Sequence, residues 1–145
     1  MILIFGSRPR PGSWLIRALT FSRYSHVGIV FGDRVVEAAI WRVREIPLTQ
    51  FKEEYPVWEI AELPCADEAV AKRYAYSRIG NLYDFGGLLA FPFQRDWQSN
   101  GRDFCSELPI SAAADAGSVY VRDVHRVTPE NLYQISRIPL DPQKE

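Results

Sequence analysis

The order of apolar runs, turn residues and helix signals in this 145-residue chain predicts an α+β domain. The expected architecture is an antiparallel sheet of about four to six strands packed against helices. Three observations carry it. Four strand-like runs fall between Val27 and Leu63. A Gly32-Asp33 pair joins the first two as a tight hairpin, with glycine first as in a type II′ turn. Helix-spaced stretches flank the strands, and two of them stop at Gly80 and Gly117.

Taken in order, Ile2 to Phe5 reads as a short buried strand. Ser7 to Ser13 holds two prolines and a glycine and reads as a loop. Ser13 is placed to cap a helix through Trp14, Leu15, Ile16, Ala18, Leu19 and Phe21. Val27 to Phe31 and Arg34 to Ala38 form the hairpin, Trp41 to Ile46 a third strand and Val57 to Leu63 a fourth. Pro47 to Tyr55 reads as a loop with a helical turn. Asp67 starts a helix that runs to Ile79. Tyr83 to Phe91 reads as a shorter helix ending before Pro92, followed by a polar excursion to Arg102. Cys105 to Ala116 is a helix of small residues, Val119 to Val127 a strand, and Pro129 opens a last helical turn.

The length fits one domain, residues 1–138, with a frayed tail at 139–145. Apolar content is 47% and charged content 24%, both ordinary for a globular protein. The net charge of −1 gives no reason to expect nucleic acid or an anionic membrane as partner. No stretch approaches the ~20 apolar residues of a membrane span, and no signal peptide is visible. The expectation is a cytoplasmic protein without an integral membrane segment, which reaches the cell envelope only by another route. Cys65 and Cys105 are the two cysteines; they form no disulfide framework and no zinc-ligand spacing, so neither metal nor cofactor is expected.

The hairpin carries the first chemical signal. With Gly32-Asp33 as the turn, Gly28 pairs with Glu37 and Val30 with Val35. Val27, Ile29, Val36 and Ala38 then share the core face. His26, Gly28, Val30, Val35 and Glu37 share the other. Glu37 is a diagonal neighbour of His26 at ~7–8 Å between backbones, and Gly28 between them blocks nothing. A carboxylate there orients the ring and stabilises its charged form. The alternative is a surface glutamate on a hairpin, and a one-residue slip in register would turn it to the opposite face.

Cys105 carries the second signal. A thiol at a helix N-terminus or beside a charged histidine ionises more readily than the ~8.5 of a free cysteine. Ser106, Ser111, Ala112, Ala113 and Ala114 let its helix approach a sheet closely. Asp103 is placed to cap that helix, and Pro109 must fall in its first turn or at a kink. The competing reading is an inert buried cysteine. His125, between charged residues, reads as solvated, and Cys65 has no base near it in sequence. Trp14, Phe21, Tyr74, Tyr76, Tyr83, Phe85 and Phe91 read as core, and Trp97 as a residue that could rim a cleft.

Together, Ile2-Leu3-Ile4-Phe5, Tyr24-Ser25-His26-Val27-Gly28-Ile29-Val30, Val35-Val36-Glu37-Ala38, Gly80-Asn81-Leu82-Tyr83-Asp84 and Phe104-Cys105-Ser106-Glu107-Leu108 resemble, in order, the circularly permuted NlpC-type, papain-like superfamily, in its YiiX/YebB-like branch. The resemblance implies a papain-like sheet against a cysteine helix, with histidine and acid preceding cysteine because the chain is permuted. It implies Cys105 as nucleophile, His26 as base, Glu37 as the residue orienting His26, and Tyr24 near the substrate or oxyanion. Tyr83 and Asp84 match a structural pair. Pro109 and the absence of a leader depart from the pattern. The implied activity is a cysteine amidase or peptidase on a small peptide, with a cell-wall peptide as the default. Acyl transfer or lipid-ester hydrolysis of the lecithin–retinol acyltransferase type is the second reading, and a non-catalytic binding module the third. Oligomeric state is not readable.

Overall fold

In the computed structural model, residues 1–39, 41–83, 102–103, 105–118 and 127–136 are described. Five strands, β1 (Ile2–Ser7), β2 (His26–Phe31), β3 (Arg34–Ala38), β4 (Val43–Pro47) and β5 (Val57–Glu62), form one antiparallel sheet in the order β4-β3-β2-β1-β5. Gly32 takes φ +66°, as a turn with glycine first requires. The hairpin register is the expected one: Gly28 faces Glu37 and Phe31 faces Arg34.

Both faces of the sheet carry a packed apolar cluster. Leu3, Phe5, Val27, Ile29, Val36 and Ala38 point into the larger core. That core is closed by α3 (Glu68–Ser77), α4 (Glu107–Asp115) and α5 (Pro129–Ser136), through Ala71, Ala75, Leu108, Ala112, Ala113, Leu132 and Tyr133. The small residues let α3 and α4 pack against each other. Ile4, Val35 and Ile46, of opposite parity, meet Phe51 and Tyr55 in a second cluster beneath α2 (Leu48–Glu54). Asp67 caps α3 through the Ala69 and Val70 N–H groups, and Gly80 beyond it has φ +96°. β6 (Leu82–Tyr83) and β7 (Arg102–Asp103) make a small parallel pair.

Several local expectations are corrected. α1 spans Pro11–Thr20 and starts at proline, whose fixed φ suits a first helical position. Ser13 therefore lies inside the helix and bonds to Ser25 Oγ at 2.6 Å instead of capping. Trp14 and Phe21 are 67% and 91% exposed, so they are not core. The Pro47–Tyr55 loop is largely the helix α2, and β4 begins at Val43, leaving Trp41 exposed. Tyr83 lies in a strand rather than a helix start. Asp103 belongs to β7; Ser106 is the N-cap residue of α4, with Pro109 in the first turn. Val127 lies outside any strand. Phe85, Phe91, Trp97, His125, Asp84, Phe104, the proposed helix beyond Tyr83, most of the 119–127 strand and the 139–145 tail lie outside the described residues.

Candidate active site

His26 opens β2, where strand alternation turns it away from Val27 and toward Tyr55. Its Nε2 lies 2.8 Å from Glu37 Oε2. The diagonal relation across the hairpin thus becomes a hydrogen bond, and the absence of a side chain at Gly28 permits it. A Cβ built there would stand 2.5 Å from Val35 Cγ1 and 3.4 Å from Glu37 Cβ. The Cys105 side chain lies close enough to the His26 ring to act on its charge. Cys105 itself sits in the turn immediately before α4. Cys105 and Glu37 are fully buried and His26 is 7% exposed.

The surroundings hold this arrangement rigid. The Tyr55 ring stacks on His26 at 4.9 Å and 9° between planes, and Phe51 stacks behind at 6.0 Å. Gly6, paired with His26 across β1, makes room for Tyr55: a Cβ at Gly6 would lie 2.8 Å from the Tyr55 Cβ. The Arg8 guanidinium stands 5.1 Å from the Tyr55 ring centre. Arg44, facing Glu37 on β4, donates its Nε to Glu37 Oε1 at 2.7 Å. Arg44 Nη2 reaches Glu54 Oε2 at 2.8 Å, and Gln50 steadies Glu54. A continuous chain of hydrogen bonds therefore runs from His26 through Glu37 and Arg44 to Glu54.

Electrostatics follow from these contacts. Burial opposes a charged His26, yet the electrostatic influence of Tyr55, Glu37 and Cys105 around it outweighs burial and holds the imidazole well above its usual range. Burial likewise opposes a charged Glu37, but His26 and then Arg44 hold it below the ordinary carboxylate range. Burial raises the Tyr55 hydroxyl. The site stabilises the charged form of the imidazole beside a carboxylate, with Cys105 near the ring.

Of the four residues singled out in the sequence, three meet here. Tyr24 precedes the histidine strand, but its hydroxyl donates to Glu59 Oε2 at 2.5 Å and its ring packs with Phe5 and Tyr133. Sequence reasoning missed Arg44, Glu54, Phe51 and Tyr55. Arg44 had a signal, a cation on the strand after Glu37, but the turn length between β3 and β4 left its register open. Tyr55 had none, because its stacking depends on how α2 folds back over the sheet.

This five-stranded antiparallel sheet packed against helices is an α+β fold, with His26 and Glu37 ahead of Cys105 at a helix entrance. Among solved structures, it is similar to that of the metalloprotein YiiX from Escherichia coli O157:H7, with a TM-score of 0.64 and 24% identity over 79% of this chain. The match spans 64% of the YiiX chain. That likeness establishes the fold, and fold alone does not assign chemistry. No protein-family model matches the chain, and no curated protein matches its sequence. YiiX is described as a metalloprotein. Among the described residues here, no group of three or more His, Cys, Asp or Glu side chains is arranged to hold a metal ion. The Glu37 oxygens are already engaged by His26 and Arg44, so the described residues do not fit a metal at this site. None of the described helices is long and apolar enough to cross a membrane.

Proposed function

We propose that the protein is a cysteine hydrolase acting on an amide bond, with Cys105 as nucleophile, His26 as base and Glu37 orienting His26. The observation that carries this reading is the buried His26–Glu37 hydrogen bond with the buried Cys105 side chain acting on the same ring. The Cys105 proton passes to a neutral His26, giving the imidazolium that Glu37 stabilises, and the thiolate attacks the carbonyl carbon. The C–N bond then breaks, and His26 returns the proton to the leaving amine. Water, deprotonated by His26, attacks the thioester; the C–S bond breaks and the thiol re-forms. The Cys105 backbone N–H contributes to the oxyanion hole. By resemblance, the substrate is a small cell-wall-type peptide.

The sulfur is buried, so the site must open to admit substrate. Two measurements test the scheme. Cys105→Ala should abolish hydrolysis of peptidoglycan-derived peptides while its circular dichroism stays native; retained turnover sinks the scheme. In a Cys65→Ala background, iodoacetamide should alkylate Cys105, and His26→Ala should slow it. A thiol unreactive until the protein unfolds would favour the non-catalytic module.

A further inference from the structure

α1 leaves apolar side chains outside. Ser13 is buried and bonds to Ser25, while the exposed Arg17 reaches Ser7 Oγ with its Nη1 at 3.5 Å. Trp14, Ala18 and Phe21, at i, i+4 and i+7, lie on the outward side with Leu15 beside them. Trp14 is 67%, Leu15 47% and Phe21 91% exposed. Phe21 is also the only described non-glycine residue with positive φ, +49° at the helix C-cap, where glycine is the favoured residue. A bulky ring is thus held in strained backbone and offered to the outside.

Charge identifies what covers this stripe. From Met1 to Gly32 the chain holds four arginines, Arg8, Arg10, Arg17 and Arg23, and no Asp or Glu. The near-neutral total hides this segregation. Arg23 pairs with Glu130 at 2.7 Å and Arg8 lies against Tyr55, while Arg10 is exposed at the helix entrance. Exposed Arg10 and Arg17 flank these aromatic and aliphatic side chains, with no acid in their own segment, and that is what an amphipathic helix presents to an anionic bilayer.

We propose that α1 docks the protein on the surface of anionic lipid bilayers, inserting Trp14, Leu15 and Phe21 among the acyl chains with its arginines at the headgroups. Because Ser13 is tied to Ser25, the residue before His26, docking sets the candidate site next to the lipid surface. The proposal rests on α1 and not on the hydrolase reading, so it is tested on the Cys105→Ala protein. That protein should co-sediment with vesicles of phosphatidylcholine and phosphatidylglycerol, less with added salt, and weakly with phosphatidylcholine alone. Trp14→Ser/Phe21→Ser should weaken partitioning roughly tenfold or more, given the apolar area withdrawn. Phe21→Gly should weaken it while leaving the fold as stable or more so, which separates docking from misfolding. Failure to bind the anionic vesicles, or binding indifferent to these substitutions, overturns the proposal. So does a concentration-dependent dimer that the double variant abolishes in a protein that ignores vesicles, since a second copy would then cover the stripe.

Discussion

Two glutamates on the same sheet each accept from two side chains, and they serve opposite ends. Glu37 is fully buried on β3, between His26 of β2 and Arg44 of β4. Glu59 is half-buried on the edge strand β5, where Tyr24 Oη and Tyr133 Oη donate to it at 2.5 and 2.7 Å. Glu37 is surrounded by groups that carry or can carry positive charge, which hold it ionised and let it stabilise a charged imidazole. The phenols given to Glu59 are neutral donors. Burial and then the Glu59 bond push the Tyr24 hydroxyl above the ordinary tyrosine range, so it keeps its proton. One carboxylate manages charge; the other ties Phe5, Tyr24 and Tyr133 into an aromatic cluster.

The contrast can be broken most severely at Glu37. Glu37→Leu should cost about 3 kcal/mol, the low end for breaking a buried ion pair, because Arg44 keeps Glu54. Urea denaturation measures it. A Glu37→Leu/Arg44→Met double variant leaves no unmatched charge and should recover much of that stability. Turnover, if the hydrolase reading holds, should stay depressed roughly 10²-fold or more in both. A cost below about 1 kcal/mol would mean the chain of polar contacts does not hold this side of the sheet.

The difference in charge also gives a difference in pH response. The folded His26 titrates above its reference of 6.5, so its contribution is fully present below 6.5 and is lost as pH rises through the raised folded value. Glu37 titrates below 4.5, so its contribution is fully present above 4.5 and is lost as pH falls through the lowered value. The pair therefore stabilises most between 4.5 and 6.5. The stability lost in Glu37→Gln, read from denaturation midpoints across pH, should be greatest in that window and shrink toward alkaline pH. A pH-independent difference would show that packing rather than charge is what Glu37 supplies.

The two glutamates differ in legibility for a physical reason. The His26–Glu37 contact spans eleven residues and one two-residue turn, and such a turn fixes register. Glycine at positions 28 and 32 marks both the turn and the space the contact needs. Glu59 meets Tyr24 and Tyr133 only because β5 returns to pair with β1 and α5 docks over the larger core, at separations of 35 and 74 residues. No local pattern encodes that. Helix α1 misled in another way. Its apolar spacing was visible, but spacing does not say which way a helix faces, and Trp14, Leu15 and Phe21 lie exposed while Ser13 bonds to Ser25.

The smallest expected effect is at Tyr24, and it separates two roles for that residue. Tyr24→Phe removes one O–H bond to Glu59 while Tyr133 retains the other, and the ring stays against Phe5. The cost should be about 0.5–1.5 kcal/mol. An anchoring hydroxyl predicts that turnover per folded molecule is unchanged, since its proton is already committed to Glu59. A hydroxyl that leaves Glu59 to meet substrate or oxyanion predicts a loss in kcat larger than the loss in stability, of roughly 10²-fold for an oxyanion donor. Measuring kcat and the urea midpoint on the same preparation decides between them. A kcat deficit would make the Glu59 bond a resting position; an unchanged kcat would leave the chemistry to the Cys105, His26 and Glu37 side chains.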